Sequence, residues 1–183
     1  MVLLAWALAA PGQTRPVTVV IATGLGVIEA EIDTVHAPVT AANFLKYVDA
    51  GKYDGGQFHR TVKPDNQPNN DVKIEVIQAG RADGFEGWPA IPLERTSATG
   101  LMHRDGTISM ARDGPDTATS DFFICIGDQP SLDFGGKRNP DGQGFAAFGR
   151  VVRGMDVVRK IQGAPAEGQS LMPPVRILKI RRK

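Results

Sequence analysis

This sequence predicts a mainly β fold, a barrel or sandwich carrying two helices, and three observations predict it. Several short segments are rich in β-branched and aromatic residues. Only two segments place apolar residues at helical spacing. Turns rich in Gly and Pro separate them.

The first two strands are expected at residues 17–22 and 27–32. In the second, Ile28, Ala30 and Ile32 alternate with Val27, Glu29 and Glu31, the period of a half-buried strand. Thr23-Gly24-Leu25-Gly26 between them reads as a hairpin turn. A dinucleotide-binding reading of its G-x-G fails, because Glu29 stands where the third glycine belongs. Residues 38–50 form the clearest helix, with Ala41, Phe44, Leu45 and Val48 on one face, Pro38 in the first turn and Gly51 past the end. A second, short helix is expected at 154–162, with Val157, Val158 and Ile161 inward and Gly163 as its stop. Further strands are expected at 57–62, 74–79, 107–111, 121–126, 145–152 and 175–180. Two long polar loops, 63–73 and 134–144, have the length of functional or mobile segments.

The chain has 183 residues, 42% hydrophobic and 22% charged, which suits one domain with a real core. Residues 16–183 are read as that domain. A net charge of +1 gives no field favouring nucleic acid or an anionic membrane. The basic end Arg181-Arg182-Lys183 reads as a solvated tail. Cys125 is the only cysteine, which excludes an internal disulfide and a multi-cysteine metal site. Within Phe122-Phe123-Ile124-Cys125-Ile126 it reads as buried and inert. Residues 1–15 are read as a signal-peptide remnant and tail. The run 2–10 is apolar, too short to span a bilayer, and holds Ala7-Leu8-Ala9 as a cleavage site, although no Lys or Arg precedes it. Export to a periplasm or medium is the expectation, with a cytoplasmic location as the alternative.

Several stretches in order carry a resemblance. They are the run 38–44 (PVTAANF), Phe58-His59-Arg60, Val76-Ile77-Gln78-Ala79-Gly80, Ile108-Ser109-Met110-Ala111 with Gly114-Pro115, and Ser120-Asp121-Phe122-Phe123-Ile124. Phe148-Gly149-Arg150-Val151 and Gly154-Met155-Asp156-Val157-Val158 follow. Together, from about residue 17 to the end, they resemble the cyclophilin family of peptidyl-prolyl cis/trans isomerases. The long loop 63–73 looks like that of a bacterial subgroup. The resemblance implies a closed eight-stranded antiparallel barrel capped by two helices, with a peptide groove on an outer face. It implies proline-containing polypeptides as partners and no cofactor, metal, nucleic acid or membrane span. A monomer is expected.

The resemblance also implies a site. Arg60 falls on the family's catalytic arginine, His59 on the histidine before it, and Gln78 on the glutamine that supports the arginine. Phe123 is the floor of the proline pocket, with Val76 and Leu132 as walls. Phe145 stands where a histidine is usual. Ala111 and Arg112 lie in the segment whose backbone pairs with the peptide. Asp121 replaces a glutamine, Glu75 a pocket phenylalanine and Ser131 a tryptophan. Glu75 and Asp121 are expected to bring negative charge near Arg60 and to compete for its guanidinium.

The chemistry suits these residue types. Turning an X–Pro bond breaks no covalent bond, but resonance resists the twist. A donor aimed at the prolyl nitrogen helps most in the twisted state, where the nitrogen regains its lone pair. Arginine is always charged and rich in donors. His59 reads as a packing or hydrogen-bonding residue, because the twist transfers no proton. Other readings are a degenerate domain that binds proline segments with little turnover, a hydrolase built on His36, His59 or His103, and a calcium loop at Asn139-Pro140-Asp141-Gly142. The hydrolase reading lacks a G-x-S-x-G elbow, and the calcium reading lacks the acidic spacing and distal glutamate.

Overall fold

The computed structural model describes residues 16–183. The expected signal segment lies outside the described residues. The strands are β1 (Val17–Thr23), β2 (Gly26–Ile32), β3 (Gln57–Val62), β4 (Val76–Gly80), β5 (Thr107–Met110), β6 (Phe122–Cys125), β7 (Ala146–Arg153), β8 (Ala166–Glu167) and β9 (Ser170–Arg182). The helices are α1 (Pro38–Asp49), α2 (Thr96–Thr99) and α3 (Met155–Gln162). The sheet order is β1-β2-β7-β5-β6-β4-β3-β9-β8, and β1 pairs with β9 as well as with β2. That extra pairing closes an eight-stranded barrel, every ladder of which is antiparallel. Closure leaves no long free edge. The two-residue β8 sits outside the barrel as a hairpin on β9.

The strand and helix expectations hold within a few residues. Strand β9 runs longer than expected, and β8 and the one-turn α2 are additional. Helix α1 starts at Pro38 as expected, but Ala37 offers no side-chain cap. Glu94 supplies the cap from far along the chain, accepting from the Val39 and Thr40 amides at 3.1 and 2.7 Å and from Thr40 Oγ1 at 2.6 Å. A carboxylate there satisfies orphan amides and faces the positive end of the helix dipole. Gly51 ends the helix with φ +64°, a conformation that favours glycine. Helix α1 packs against β7 and β9, and α3 against β2, β3 and β4. No helix among the described residues is long and apolar enough to cross a membrane.

Two apolar clusters share the same strands. The larger fills the barrel and includes Phe44, Tyr53, Phe58, Ile77, Phe122, Ile124 and Phe148. Phe122 is its aromatic hub, edge-on to Phe44, Tyr53 and Phe58 with centroids 5.4, 5.5 and 6.0 Å away. The smaller lies on the outer face and consists of Val62, Ile74, Val76, Phe123, Cys125 and Leu132. Alternation divides them: Ile77 and Ala79 point inward from β4 while Val76 and Gln78 point outward. On β6, Phe122 and Ile124 point inward while Phe123 and Cys125 point outward.

Candidate functional site

An irregularity in β3 creates the site. In a regular strand Phe58 and Arg60 share a face, and Phe58 is wholly buried in the barrel. The ladder slips at this point on both sides. Phe58 pairs with Ala79 and Arg60 with Gln78 on β4, and Phe58 pairs with Val175 and Arg60 with Ser170 on β9. Against β4, His59 is the extra residue of a β-bulge, whereas against β9 the surplus residues lie in β9. The bulge turns Arg60 and Val62 to the outer face. Without the bulge the guanidinium would enter an apolar core, at a cost of several kcal/mol, roughly.

Arg60 then lines an outer cavity of about 480 Å³. Its Nη1 donates to Gln78 Oε1 at 3.0 Å. Its Nε and Nη2 both donate to Gln169 Oε1, at 2.9 and 2.6 Å. The acceptors are neutral, so the charge is oriented without being cancelled. Burial pulls the guanidinium below its ordinary value, yet an arginine remains protonated throughout the neutral range. Gln169 is fixed in turn, since its Nε2 donates to Asn66 O at 3.1 Å.

Of the expected site residues, Arg60, Gln78, Val76, Ala111, Arg112, Asp121, Phe123, Leu132 and Phe145 all line this one cavity. Phe123 and Phe145 meet edge to face at 5.3 Å. Behind Phe123, the His103 ring stacks at 6.0 Å with 14° between planes. Arg112 faces the cavity with its side chain only 1% exposed. Its guanidinium grips Asp141 at 2.7 and 3.0 Å and Gly144 O at 2.8 Å, so it braces the 134–144 loop. The Ala111 amide is committed to Asp121 O at 2.8 Å.

Three expectations need correction. His59 is not among the residues that line the cavity; its Nε2 lies 3.9 Å from Oδ2 of Asp121 at the cavity's edge. Asp121 does not compete for Arg60. Its carboxylate lies across Gly80, where a Cβ would meet Oδ1 at 2.6 Å, and toward Ser120 and His59. Glu75 is not beside Arg60 either; its Oε2 accepts from Gln162 Nε2 at 2.9 Å. Ser131 also stands outside the cavity lining.

The rival chemistries meet specific geometry. Ser109 Oγ, His103 and Asp133 form a chain, with His103 Nε2 3.0 Å from Ser109 and Nδ1 2.7 Å from Asp133. That order resembles a hydrolytic triad, but Ser109 is fully buried and His103 only 1% exposed, so no substrate reaches the hydroxyl. The chain instead satisfies polar groups behind Phe123. Asp141, the acid of the calcium reading, is held by Arg112. Cys125 is buried as expected, and burial pushes its thiol well up, which keeps it a poor nucleophile.

Sequence reading missed Gln169, Ile74 and Arg138. Gln169 lies 109 positions from Arg60, and no local pattern links them. Arg138 was visible only as a cation in a polar loop. The two long loops are not loose. Gln67 is 2% exposed and ties the 63–73 loop together through Lys63 O and Ile74 O, at 2.7 and 2.8 Å. Arg138 stitches that loop to the other through Gln67 Oε1 and Val72 O.

The family description "Cyclophilin type peptidyl-prolyl cis-trans isomerase/CLD" matches residues 18–182. The chain belongs to the cyclophilin-type peptidyl-prolyl cis-trans isomerases. A peptidyl-prolyl cis-trans isomerase of Acinetobacter baylyi is 36% identical over 172 residues, covering 88% of this chain and 82% of its own. Peptidyl-prolyl cis-trans isomerase B of Escherichia coli is 38% identical over 144 residues, covering 74% and 77%. A cyclophilin-type isomerase structure from Cryptosporidium parvum has a TM-score of 0.74 at 23% identity, over 92% of this chain and 98% of that one. Its counterpart in the presence of the dipeptide Ala-Pro scores 0.73. The cyclophilin barrel is thus the fold of this chain.

Proposed function

We propose that this cyclophilin accelerates rotation about X–Pro bonds in polypeptides with Arg60 as its catalytic residue. The carrying observation is a guanidinium held only by neutral partners in the same cavity as the Phe123 floor. The X–Pro barrier approaches roughly 18–20 kcal/mol because rotation destroys amide resonance. The twisted nitrogen is a better hydrogen-bond acceptor than the planar one, so a fixed cationic donor stabilises the transition state more than either isomer. A guanidinium has five N–H donors, and Gln78 and Gln169 engage one on each of its three nitrogens. The remaining two are available to the substrate. Phe123, Val76, Leu132 and Phe145 hold the proline ring while the preceding residue turns. No proton moves, and no bond other than hydrogen bonds is made.

One chain completes the groove, which supports action as a monomer. Isomer exchange of a short proline peptide, followed by NMR with catalytic amounts of protein, tests the reading. Exchange accelerated in proportion to enzyme is expected. Binding without acceleration would establish instead a proline-segment binder. The apolar run 2–10 supports export, and the N-terminal mass of protein from its native cell tests that. Cleavage near Ala9 is expected, and intact Met1 on cytoplasmic protein would overturn it.

A further inference from the structure

The groove holds a second cation that the isomerase reading does not use. Six of the twelve arginines in the described residues pair with a carboxylate: Arg104 with Asp128, Arg112 with Asp141, Arg150 with Glu31, Arg159 with Asp105, Arg181 with Asp54 and Arg182 with Asp49. Arg138 lines the same cavity as Arg60, and like Arg60 it has only neutral partners. Its Nη1 donates to Gln67 Oε1 at 2.8 Å and Val72 O at 2.7 Å. Among the described residues its Nε and Nη2 have no acceptor. Burial, and then the nearby charge of Arg60, pull its guanidinium below the ordinary value. Two partly desolvated cations in one cavity repel each other, and an anion between or beside them relieves that repulsion.

The cavity is polarised along β4. Near its start stand Ile74 and Arg138, which Gln67 links. Arg60 pairs at Gln78 in the middle, and Asp121 lies across Gly80 at the end. Asp113 is the other carboxylate lining the cavity; it follows β5 beyond Ala111, whose amide bonds to Asp121 O. The third cation, Arg112, is already neutralised by Asp141. A peptide lying along this axis therefore meets a positive field at one end of its proline and a negative field at the other.

We propose that Arg138 is a specificity residue of the groove, taking the carboxylate of an aspartate or glutamate side chain that flanks the substrate's proline. This deepens the isomerase reading and rests on it. Bidentate capture of a carboxylate suits a guanidinium whose Nε and Nη2 are both unengaged.

The test uses short peptides with one central X–Pro bond, blocked at both ends so that a side chain supplies the only carboxylate. Glu, Gln or Lys is placed at one position within two residues of the proline on either side. The readout is the Glu/Gln ratio of kcat/KM within each protein, so any general change in turnover cancels. At one position wild type should prefer Glu over Gln by roughly five- to tenfold at low salt, with Lys below Gln. High salt should shrink the ratio. Arg138→Gln should bring it under about twofold, and Arg138→Lys should retain part of it. Equal turnover of Glu and Gln peptides at every position overturns the proposal, and so does a preference that survives intact in Arg138→Gln. If that variant does not fold, Arg138→Lys and the salt dependence of wild type decide by the same ratio. If wild type turns over no peptide, the isomerase reading fails. The Glu/Gln ratio of Kd, from NMR titration with the same peptides, then tests Arg138 separately.

Discussion

The two faces of β3, β4 and β6 are built from alternate residues of the same strands, yet they follow different rules. Inward, Phe58, Ile77, Phe122 and Ile124 are fully buried, and packing alone constrains them. Outward, Val76 and Phe123 are almost as buried, but they border open space shared with Arg60, Gln78 and Arg138. The inner face settles whether the chain folds. The outer face retains what the inner one cannot tolerate, charge without a counter-charge. A single extra residue in the ladder with β4, His59, transfers Arg60 from one regime to the other.

Neighbouring phenylalanines give the largest contrast. Phe122→Ala should cost about 3–5 kcal/mol of stability, because it empties the aromatic hub of a closed core. Phe123→Ala should cost less, since the space it leaves opens to solvent, but kcat/KM should fall by about tenfold or more with the lost pocket floor. Denaturant melts and peptide turnover on both variants check this. Equal losses of stability and activity in the two would erase the distinction between faces.

Gln169 sharpens the outer face further. Gln169→Ala removes two hydrogen bonds to a charged donor, worth about 1–2 kcal/mol together. We expect kcat to fall roughly tenfold with KM little changed, because the arginine loses its aim while the pocket stays. Gln169→Glu should also slow turnover, by placing a carboxylate where the neutral acceptor now leaves the charge available. Unchanged kcat in both would make Gln169 a bystander.

The smallest effect is expected from pH. Arg112 holds the Asp141 carboxyl below its usual range, with help from the Gln143 amide. Arg181 does the same for Asp54 and Arg182 for Asp49. Such groups contribute stability that is fully present above the unfolded carboxylate value near 3.9, roughly, and is lost as pH falls through the lower folded value. Stability and kcat/KM should therefore be flat from about pH 6 to 8, and the 134–144 wall should loosen only below about pH 4. A bell centred near pH 6.5, about the ordinary histidine value, would instead put proton transfer into the mechanism.

Much of this was legible in the sequence. Alternation in β2 and the helical face of α1 gave their strands, helix and buried residues, and the ordered motifs brought Arg60, Gln78 and Phe123 to one place. Three things were not legible. The bulge at His59 leaves no mark, because β-branching and hydrophobicity do not report an extra residue in a ladder. Glu94 as the cap of α1 and Gln169 as the brace of Arg60 are contacts across the chain that no local period encodes. The charges of Glu75 and Asp121 were visible, but their directions were not. Gly80 and Gln162 fix those, and both act through tertiary geometry.

The central claim is that Arg60 stabilises the twisted bond from a site outside the core. Its most direct test is kcat/KM on a proline peptide for wild type, Arg60→Ala and Arg60→Lys, with circular dichroism to confirm folding. Arg60→Ala should stay folded and lose roughly a hundredfold in rate, about 3 kcal/mol of transition-state stabilisation. Arg60→Lys should recover only part, because one ammonium cannot reproduce a fork held at three nitrogens. A folded Arg60→Ala that turns over peptide within about twofold of wild type would contradict the account, whatever the family.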